Sequence, residues 1–230
     1  MRPSLRMVRS VALSLLFLSC ATDSAVGPTL SPNGGRRAFA AVPSPAKVVI
    51  SQLYGAGGNG GAAYNHDYIE LFNAGGTDQV LTGWSIQYAS ATGTGNFGVS
   101  GQIIPLTGSI APGEYVLVEG AGGATGAAVV GDIRPLPPVT PINMAAAAGK
   151  VALVSSTASL GCNGGSAPCS PAALALIVDL VGYGTANFYE GAAAPAASAA
   201  NAVFRKDHGC TDTNNNAADF TAAAAAPRTR

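Results

Sequence analysis

The sequence predicts an all-β protein made of two packed antiparallel sheets with long loops rich in glycine and alanine. Short runs of β-branched and aromatic residues recur along the chain, and 30 Gly and 15 Pro among 230 residues punctuate them. No segment repeats large apolar side chains at the helical i, i+3, i+4, i+7 spacing over three turns. Frequent turns without helical periodicity are typical of β-sandwiches.

Residues 1–20 have the pattern of a secretory signal peptide. Three arginines precede the apolar run VALSLLFL at 11–18, namely Arg2, Arg6 and Arg9. Eight helical residues span only about 12 Å, whereas the hydrocarbon core of a bilayer is ~30 Å thick. The segment is therefore predicted to direct export and not to span a membrane.

The signal peptide ends in Ser19-Cys20, which resembles the end of a bacterial lipobox. We therefore predict that Cys20 is lipidated and that this lipid, alone, holds the chain at the outer membrane or cell surface. The alternative is cleavage after another small residue and secretion from the cell, with candidate positions at Ala21, Ala25 and Ala40.

The remaining chain divides into a linker, one domain and a tail. Residues 21–46 are rich in Pro, Ser and Gly and poor in large apolar side chains, so they are predicted to form a flexible linker. Residues 47–222 are predicted to form the β-sandwich. Residues 223–230 offer little to bury and are predicted to be a disordered tail.

Six strands are predicted within the domain. Each is rich in β-branched or aromatic residues and bounded by Gly, Pro, Asn or Ser, at 47–53, 68–73, 84–88, 114–119, 150–154 and 175–181. Alternation within the second strand places Tyr68, Glu70 and Phe72 on one face and Ile69 and Leu71 on the other. Both faces are candidates for packing against a core.

Several blocks of the domain resemble, in order, the lamin tail domain in its bacterial extracellular form. The most specific are D-x-I-E-L-x-N at 67–73 and L-x-G-W at 81–84; further blocks lie at 109–120, 149–156, 177–187 and 209–220. The resemblance implies an immunoglobulin-like β-sandwich that acts as a non-catalytic interaction or anchoring unit. In nuclear lamins this module binds proteins and DNA, and in bacteria it often accompanies secreted hydrolases.

No catalytic residue is predicted. The strongest candidate set is His66, Asp67 and Glu70, but Asp67 and Glu70 are three residues apart, so on one strand they point to opposite faces. The chain also lacks the G-x-S-x-G, H-E-x-x-H and phosphate-loop motifs.

Charge limits the choice of partner. Residues 47–221 contain five basic and eleven acidic residues, which disfavours binding to nucleic acid through its phosphates. We therefore predict a binding or scaffolding module with an envelope or extracellular protein as its partner. The alternative is an accessory domain that binds a polysaccharide or nucleic acid beside a hydrolase, and a hydrolase in its own right ranks third.

One segment has the composition of a cation site. Oxygen-bearing side chains alternate along Asp212, Asn214 and Asn216, and Asp219 follows. Such residues can bind calcium weakly, although Ala217 and Ala223 stand where an EF-hand needs Gly and Glu. The alternative is an Asx-type turn leading into a last strand. No other cofactor is predicted.

Two further features concern the loops. Cys162 and Cys169 flank the flexible loop NGGSAP and are predicted to form a disulfide. This pairing leaves Cys210 unpaired if Cys20 carries lipid. The alternative is that Cys210 pairs with Cys162 or Cys169.

The proline-rich segment 135–142 is predicted to cross a sheet edge and block its pairing, with docking on an aromatic groove as the second option.

Overall fold

The computed structural model describes Cys20 and residues 47–230, and every structural statement below refers to this part of the chain. The predicted signal peptide, apart from Cys20, and the predicted linker lie outside the described residues.

The described chain is nearly all β, which confirms the predicted class. Its strands are β1 (Val48–Tyr54), β2 (His66–Asn73), β3 (Gln79–Val80), β4 (Ser85–Ser90), β5 (Ile103–Pro105), β6 (Ser109–Ile110), β7 (Tyr115–Gly122), β8 (Gly149–Val154), β9 (Ile177–Tyr183), β10 (Asn201–Arg205) and β11 (Phe220–Ala224). The two α-helices are single turns, α1 (Pro171–Leu174) and α2 (Asn216–Asp219).

The strands form two main antiparallel sheets. The first has the order β11-β10-β1-β2-β7 and the second β5-β4-β8-β9, while β3 and β6 pair separately. One apolar core joins the inward faces of both main sheets, with members such as Ile50, Ile69, Leu71, Ile86, Val116, Val151, Leu153, Val181 and Val203. The arrangement is a β-sandwich, in agreement with the sequence.

All six predicted strands are present, with bounds shifted by a few residues. The six predicted strands do not include β10 or β11, although the Asx-turn alternative ends in a last strand that corresponds to β11: β10 is a five-residue run after an alanine-rich stretch, and β11 has one large side chain. Their pairing is nevertheless regular, running from Asn201 opposite Ala224 to Arg205 opposite Phe220. Backbone hydrogen bonds, not side-chain pattern, define these two strands.

Strand β2 is buried on both faces. Ile69 and Leu71 point into the core between the sheets, while Tyr68 packs in a second apolar cluster on the outer face. On that face Tyr68 stacks on Tyr54 with ring centroids 5.3 Å apart. Loops and the chain after β11 cover the outer face, so it is not a solvent-exposed surface.

The C-terminal residues correct the predicted disordered tail. Strand β11 extends to Ala224, and the residues after it run across the outer face of the five-stranded sheet. The prediction rests on the few apolar side chains of the segment. The segment is instead held by polar contacts of its backbone and of Arg228.

The proline-rich segment protects the edge of β7. The N–H of Ile133 donates to the Leu117 carbonyl (3.1 Å), and the Glu119 N–H donates to the Ile133 carbonyl (2.9 Å). Farther on, the Ala121 N–H donates to the Ile142 carbonyl (2.7 Å). Ile133 precedes the proline-rich segment and Ile142 ends it, so the chain at the two ends of the segment occupies the edge of β7 while the prolines lie between these contacts.

Within Cys20 and residues 47–230, no helix has the length and hydrophobicity that crossing a bilayer requires.

Candidate binding sites

The four cysteines form two disulfides. Cys162 bonds to Cys169, as the sequence predicts, and Cys20 bonds to Cys210. The second bond and a lipid on Cys20 exclude each other, because a sulfur atom held in a disulfide cannot also carry a thioether-linked lipid, and lipidation stays a prediction. The bond differs from the expectation that Cys210 is unpaired.

The Cys20–Cys210 bond restricts how the chain can be processed. Cleavage after Ala21, Ala25 or Ala40 would remove Cys20 and leave Cys210 as a thiol. The predicted cleavage after any of these three residues is therefore incompatible with this bond.

Asp67 ties two loops to β2. Its carboxylate accepts the N–H groups of Gly57 (2.7 Å) and Met144 (2.8 Å). Burial raises the pKa of Asp67 to about 7, and these two backbone donors oppose the rise. A Cβ on Gly57 would lie 1.9 Å from the His66 carbonyl carbon, so only glycine permits this approach.

Glu70 lies on the outer face and has different partners. The Ser51 hydroxyl donates to Glu70 Oε1 (2.6 Å), and the Arg228 guanidinium forms an ion pair with the same oxygen (2.6 Å). His66 contacts neither carboxylate: its Nδ1 lies 3.2 Å from the Gly120 carbonyl oxygen and 3.9 Å from Glu119. The structure does not bring His66, Asp67 and Glu70 together, in agreement with the alternation of β2.

A buried arginine, which the sequence analysis missed, organises the other end of the sandwich. Arg205 is 0% exposed and donates to both oxygens of Asp179 (2.9 and 2.7 Å) and to the Ile50 carbonyl (2.9 Å). Its guanidinium carbon lies 4.6 Å from the centre of the Phe220 ring. The sequence does indicate that such a cation is present, because Asp179 lies inside the apolar run ALIVDLV and a buried carboxylate requires a buried partner.

The predicted calcium ligands have partners within the chain. Asp212 pairs with Lys47 (2.9 Å) and Arg205 (3.2 Å). Asp219 accepts from the Thr213 N–H (2.9 Å) and hydroxyl (2.6 Å), as in a capped turn.

The two asparagines of the set also have structural roles. The Asn216 amide donates to the Leu180 carbonyl (2.9 Å) and accepts the Gly182 N–H (2.9 Å), which seals the outer edge of β9. Asn214 has a positive φ of 55°, a conformation that asparagine tolerates in turns. These contacts match the alternative of an Asx-type turn leading into the last strand.

Three carboxylates do approach one another near this turn. Asp179, Glu190 and Asp212 each place an oxygen within 4.8 Å of the other two. Burial and the neighbouring charges of Asp179 and Asp212 raise the pKa of Glu190 to about 7. Arg205 pairs with two of the three, so a guanidinium already supplies positive charge here. Calcium binding stays a prediction.

An apolar groove lies between the edge strand β5 and the proline-rich segment. Its volume is about 520 Å³, and it is lined by Ile104, Pro105, Thr107, Asp132, Ile133, Arg134, Pro135, Leu136 and Val139. Leu136 stands at the groove with 71% of its surface exposed. An exposed leucine beside stiff prolines forms a preorganised surface of the kind that binds an apolar segment.

A second surface of interest is the outer face of the five-stranded sheet, where the C-terminal segment (residues 225–230) lies. The Gln52 side chain pairs with the backbone of Ala226, and Arg228 binds Glu70 and the Tyr115 hydroxyl (2.9 Å). The Arg228 guanidinium also stacks on Tyr115, with its carbon 3.9 Å from the ring centre. Polar groups of three strands thus bind one extended segment.

Comparison with solved structures gives the same fold. The chain is similar to the crystal structure of a DUF4876 family protein from Bacteroides thetaiotaomicron VPI-5482, with a TM-score of 0.50 and 12% sequence identity. The match covers 76% of this chain and 70% of that chain. At this identity the likeness shows the fold alone. No curated protein matches the sequence.

The family assignment comes from the sequence of the domain. The profile of the family described as Lamin Tail Domain matches residues 41–167, which is more than half of the chain. The match includes the D-x-I-E-L-x-N and L-x-G-W elements of β2 and the turn before β4. The chain therefore belongs to the lamin tail domain family.

Proposed function

We propose that this lamin tail domain protein is an exported, non-catalytic module that binds a protein partner outside the cytoplasm. Two disulfides support export, because cytosolic reductants keep most thiols reduced. With the Cys20 sulfur held by Cys210, the proposal favours a secreted form over a lipid-anchored one.

The arrangement of polar residues supports a binding role over catalysis. Among the described residues, His66, Asp67 and Glu70 were the best candidates for acid–base chemistry, and each is held by a separate set of structural contacts. A general base must lie within hydrogen-bond reach of the proton that it removes. Asp67 and Glu70 both face protein donors instead of an open cavity.

The observation that carries the proposal is the apolar groove beside β5. Its walls are mostly aliphatic and proline side chains, and Leu136 is available as a central contact. Its charged lining residues, Asp132 and Arg134, are of opposite sign. This chemistry suits an extended apolar segment of a protein with few charges.

The same chemistry argues against a polymer ligand in this groove. Its lining contains no aromatic side chain on which a sugar ring or a base could stack. The excess of acidic residues in 47–221 disfavours phosphate contacts as well. Polymer binding beside a hydrolase is therefore the second candidate.

Site-specific photo-crosslinking in the native cell tests the proposal. A photoreactive residue replaces Leu136, and a matched control carries it at Val80, which is 59% exposed on β3 outside the groove lining. We expect one protein to crosslink from position 136 and not from position 80, and Leu136→Asp to reduce its capture at least tenfold. Equal capture from both positions, or capture of polymer alone, would overturn the proposal.

Fractionation of the same cells tests export. We expect the wild type and Cys20→Ala to appear together in the soluble extracytoplasmic fraction or the medium. Retention of the wild type in the membrane, with release of Cys20→Ala, would contradict the proposal and restore the lipid anchor.

A further inference from the structure

We infer that the outer face of the five-stranded sheet is a binding site for an extended, arginine-bearing segment of a partner protein, and that residues 225–230 occupy it in cis. This site is separate from the groove of the proposed function, so either proposal can fail alone. It is defined by Gln52 on β1, Glu70 on β2 and Tyr115 on β7.

The receiving groups are held in place by the domain itself. The Tyr68 hydroxyl donates to Gln52 Oε1 (2.5 Å), and the Ser51 hydroxyl donates to Glu70 Oε1 (2.6 Å). Gln52 Nε2 also donates to Glu70 Oε2 (3.3 Å). Such preorganisation lowers the entropy lost when a segment binds.

Gln52 recognises backbone and not side chain. The Ala226 N–H donates to Gln52 Oε1 (3.1 Å), and Gln52 Nε2 donates to the Ala226 carbonyl (2.8 Å). This pair of bonds mimics a strand neighbour and fixes the register of the segment. Any residue except proline can occupy this position.

Arginine is selected two residues later. Glu70 is 0% exposed, and its oxygens accept from the backbone N–H of Arg228 (2.7 Å) and from Nε and Nη2 of its guanidinium (3.1 and 2.6 Å). Tyr115 contributes its hydroxyl and its ring face. A lysine offers neither the planar fork nor the stacking, so the site discriminates between the two cations.

Acidic groups continue beyond this pocket. Arg230 Nε lies 3.3 Å from Glu114 Oε1, and the Arg230 N–H donates to Asp132 (3.3 Å). The body of the domain carries six more acidic than basic residues over 47–221. A basic segment from another protein would therefore be attracted to this face before contact.

The segment that now fills the site has few other attachments. Residues 222–226 are all alanine, and most of this stretch is exposed. Arg228 and Arg230 are thus its only large side chains, only Arg228 reaches a buried carboxylate, and segments with so little apolar burial open locally at low cost. A partner segment with the same arginine can compete for the site.

The test uses the full chain with Arg228→Ala and a fluorescein-labelled peptide of residues 222–230, AAAAAPRTR. We expect the peptide to bind this variant at least tenfold more tightly than the wild type, where the intact segment competes. A peptide with alanine in place of the arginine at 228 should lose the binding, and Glu70→Gln in the Arg228→Ala background should weaken it at least tenfold.

Controls separate binding from damage to the fold. Asp78→Asn in the same background removes an exposed carboxylate that makes no contact with the segment, and should leave the affinity unchanged. If Arg228→Ala does not fold by circular dichroism, Arg228→Lys keeps the positive charge while losing the fork, and should bind the peptide more tightly than the wild type.

Three results would overturn the inference. One is a folded variant that does not bind the peptide, and another is binding that Glu70→Gln leaves unchanged. The third is a concentration-dependent dimer of the wild type by light scattering that Arg228→Ala abolishes, because the occupant would then be a second copy of this chain.

Discussion

Arg205 joins several distant parts of the domain through one buried side chain. It links β10 to Asp179 on β9, to the backbone of β1 and to the turn that contains Asp212. Removing one partner of a buried ion pair leaves the other charge without compensation, which costs about 3–5 kcal/mol.

We therefore expect Arg205→Met to lower the free energy of unfolding by about that amount, ~3–5 kcal/mol, in urea titrations followed by circular dichroism. The matched control is Arg134→Met, at a position 58% exposed beside Glu119, where a change within about 0.5 kcal/mol is expected. A loss below about 1 kcal/mol for Arg205→Met would show that the cluster does not stabilise the fold.

Asp67 gives the stability of the protein a measurable pH dependence. Its pKa is about 7 in the folded chain against an ordinary value of 3.8, so between these values the folded chain holds a proton that the unfolded chain has released. Raising the pH from 4 to 7 therefore lowers the free energy of unfolding, by at most about 1.4 kcal/mol per pH unit for one group. Glu190 acts in the same direction between 4.5 and about 7.

Denaturation at pH 5, 6, 7 and 8 checks this prediction. Asp67→Asn should be less stable at low pH, since an amide oxygen cannot replace both acceptors for Gly57 and Met144, but its slope with pH should be shallower. Parallel slopes for the wild type and Asp67→Asn would mean that Asp67 is ionised throughout.

At the scale of elements, the sequence was informative wherever a strand carries large side chains. Strands β1, β2, β4, β7, β8 and β9 were all predicted, and the alternation of β2 correctly separated Asp67 from Glu70. Strand β10 was not predicted, and β11 entered only as the last strand of the Asx-turn alternative, because one is a short run after an alanine-rich stretch and the other carries one large side chain. The partner of β10 is β1, about 150 residues away in the sequence, which local patterns do not encode.

The two disulfides also differ in what the sequence could predict. Cys162 and Cys169 enclose a short loop, so their proximity follows from chain length alone. Cys20 and Cys210 are 190 residues apart, and only the folded domain brings Cys210 to a position where this bond forms. The lipobox-like pattern Ser19-Cys20 instead predicts a lipid on the Cys20 sulfur.

Thiol mapping decides between these two uses of Cys20. We expect no maleimide-reactive thiol in the denatured, unreduced wild type, and a linked peptide pair that contains Cys20 and Cys210 by mass spectrometry. Cys20→Ala should expose one reactive thiol, at Cys210. A wild type that already shows a reactive Cys210 and a Cys20 peptide carrying acyl chains would contradict the disulfide.

At the scale of the whole molecule, the fold class and family followed from the sequence, but the binding surfaces did not. The groove requires that β5 and the segment after Asp132 lie side by side, and the arginine site requires β1, β2 and β7 beneath the C-terminal segment. Each surface combines residues from distant parts of the chain. Their chemistry can be interpreted only after the sheets are assembled.

The Cys20–Cys210 bond also determines how the molecule responds to mechanical force. Tension applied between Cys20 and the C-terminal residues passes through this bond into the chain after Cys210, so the strands from β1 to β10 are not stretched in series. The turn at α2, strand β11 and the contacts of the C-terminal segment with Gln52 and Glu70 carry the load. A reducing agent would remove this shortcut and release up to about 650 Å of additional chain, at ~3.4 Å for each of the 190 residues enclosed.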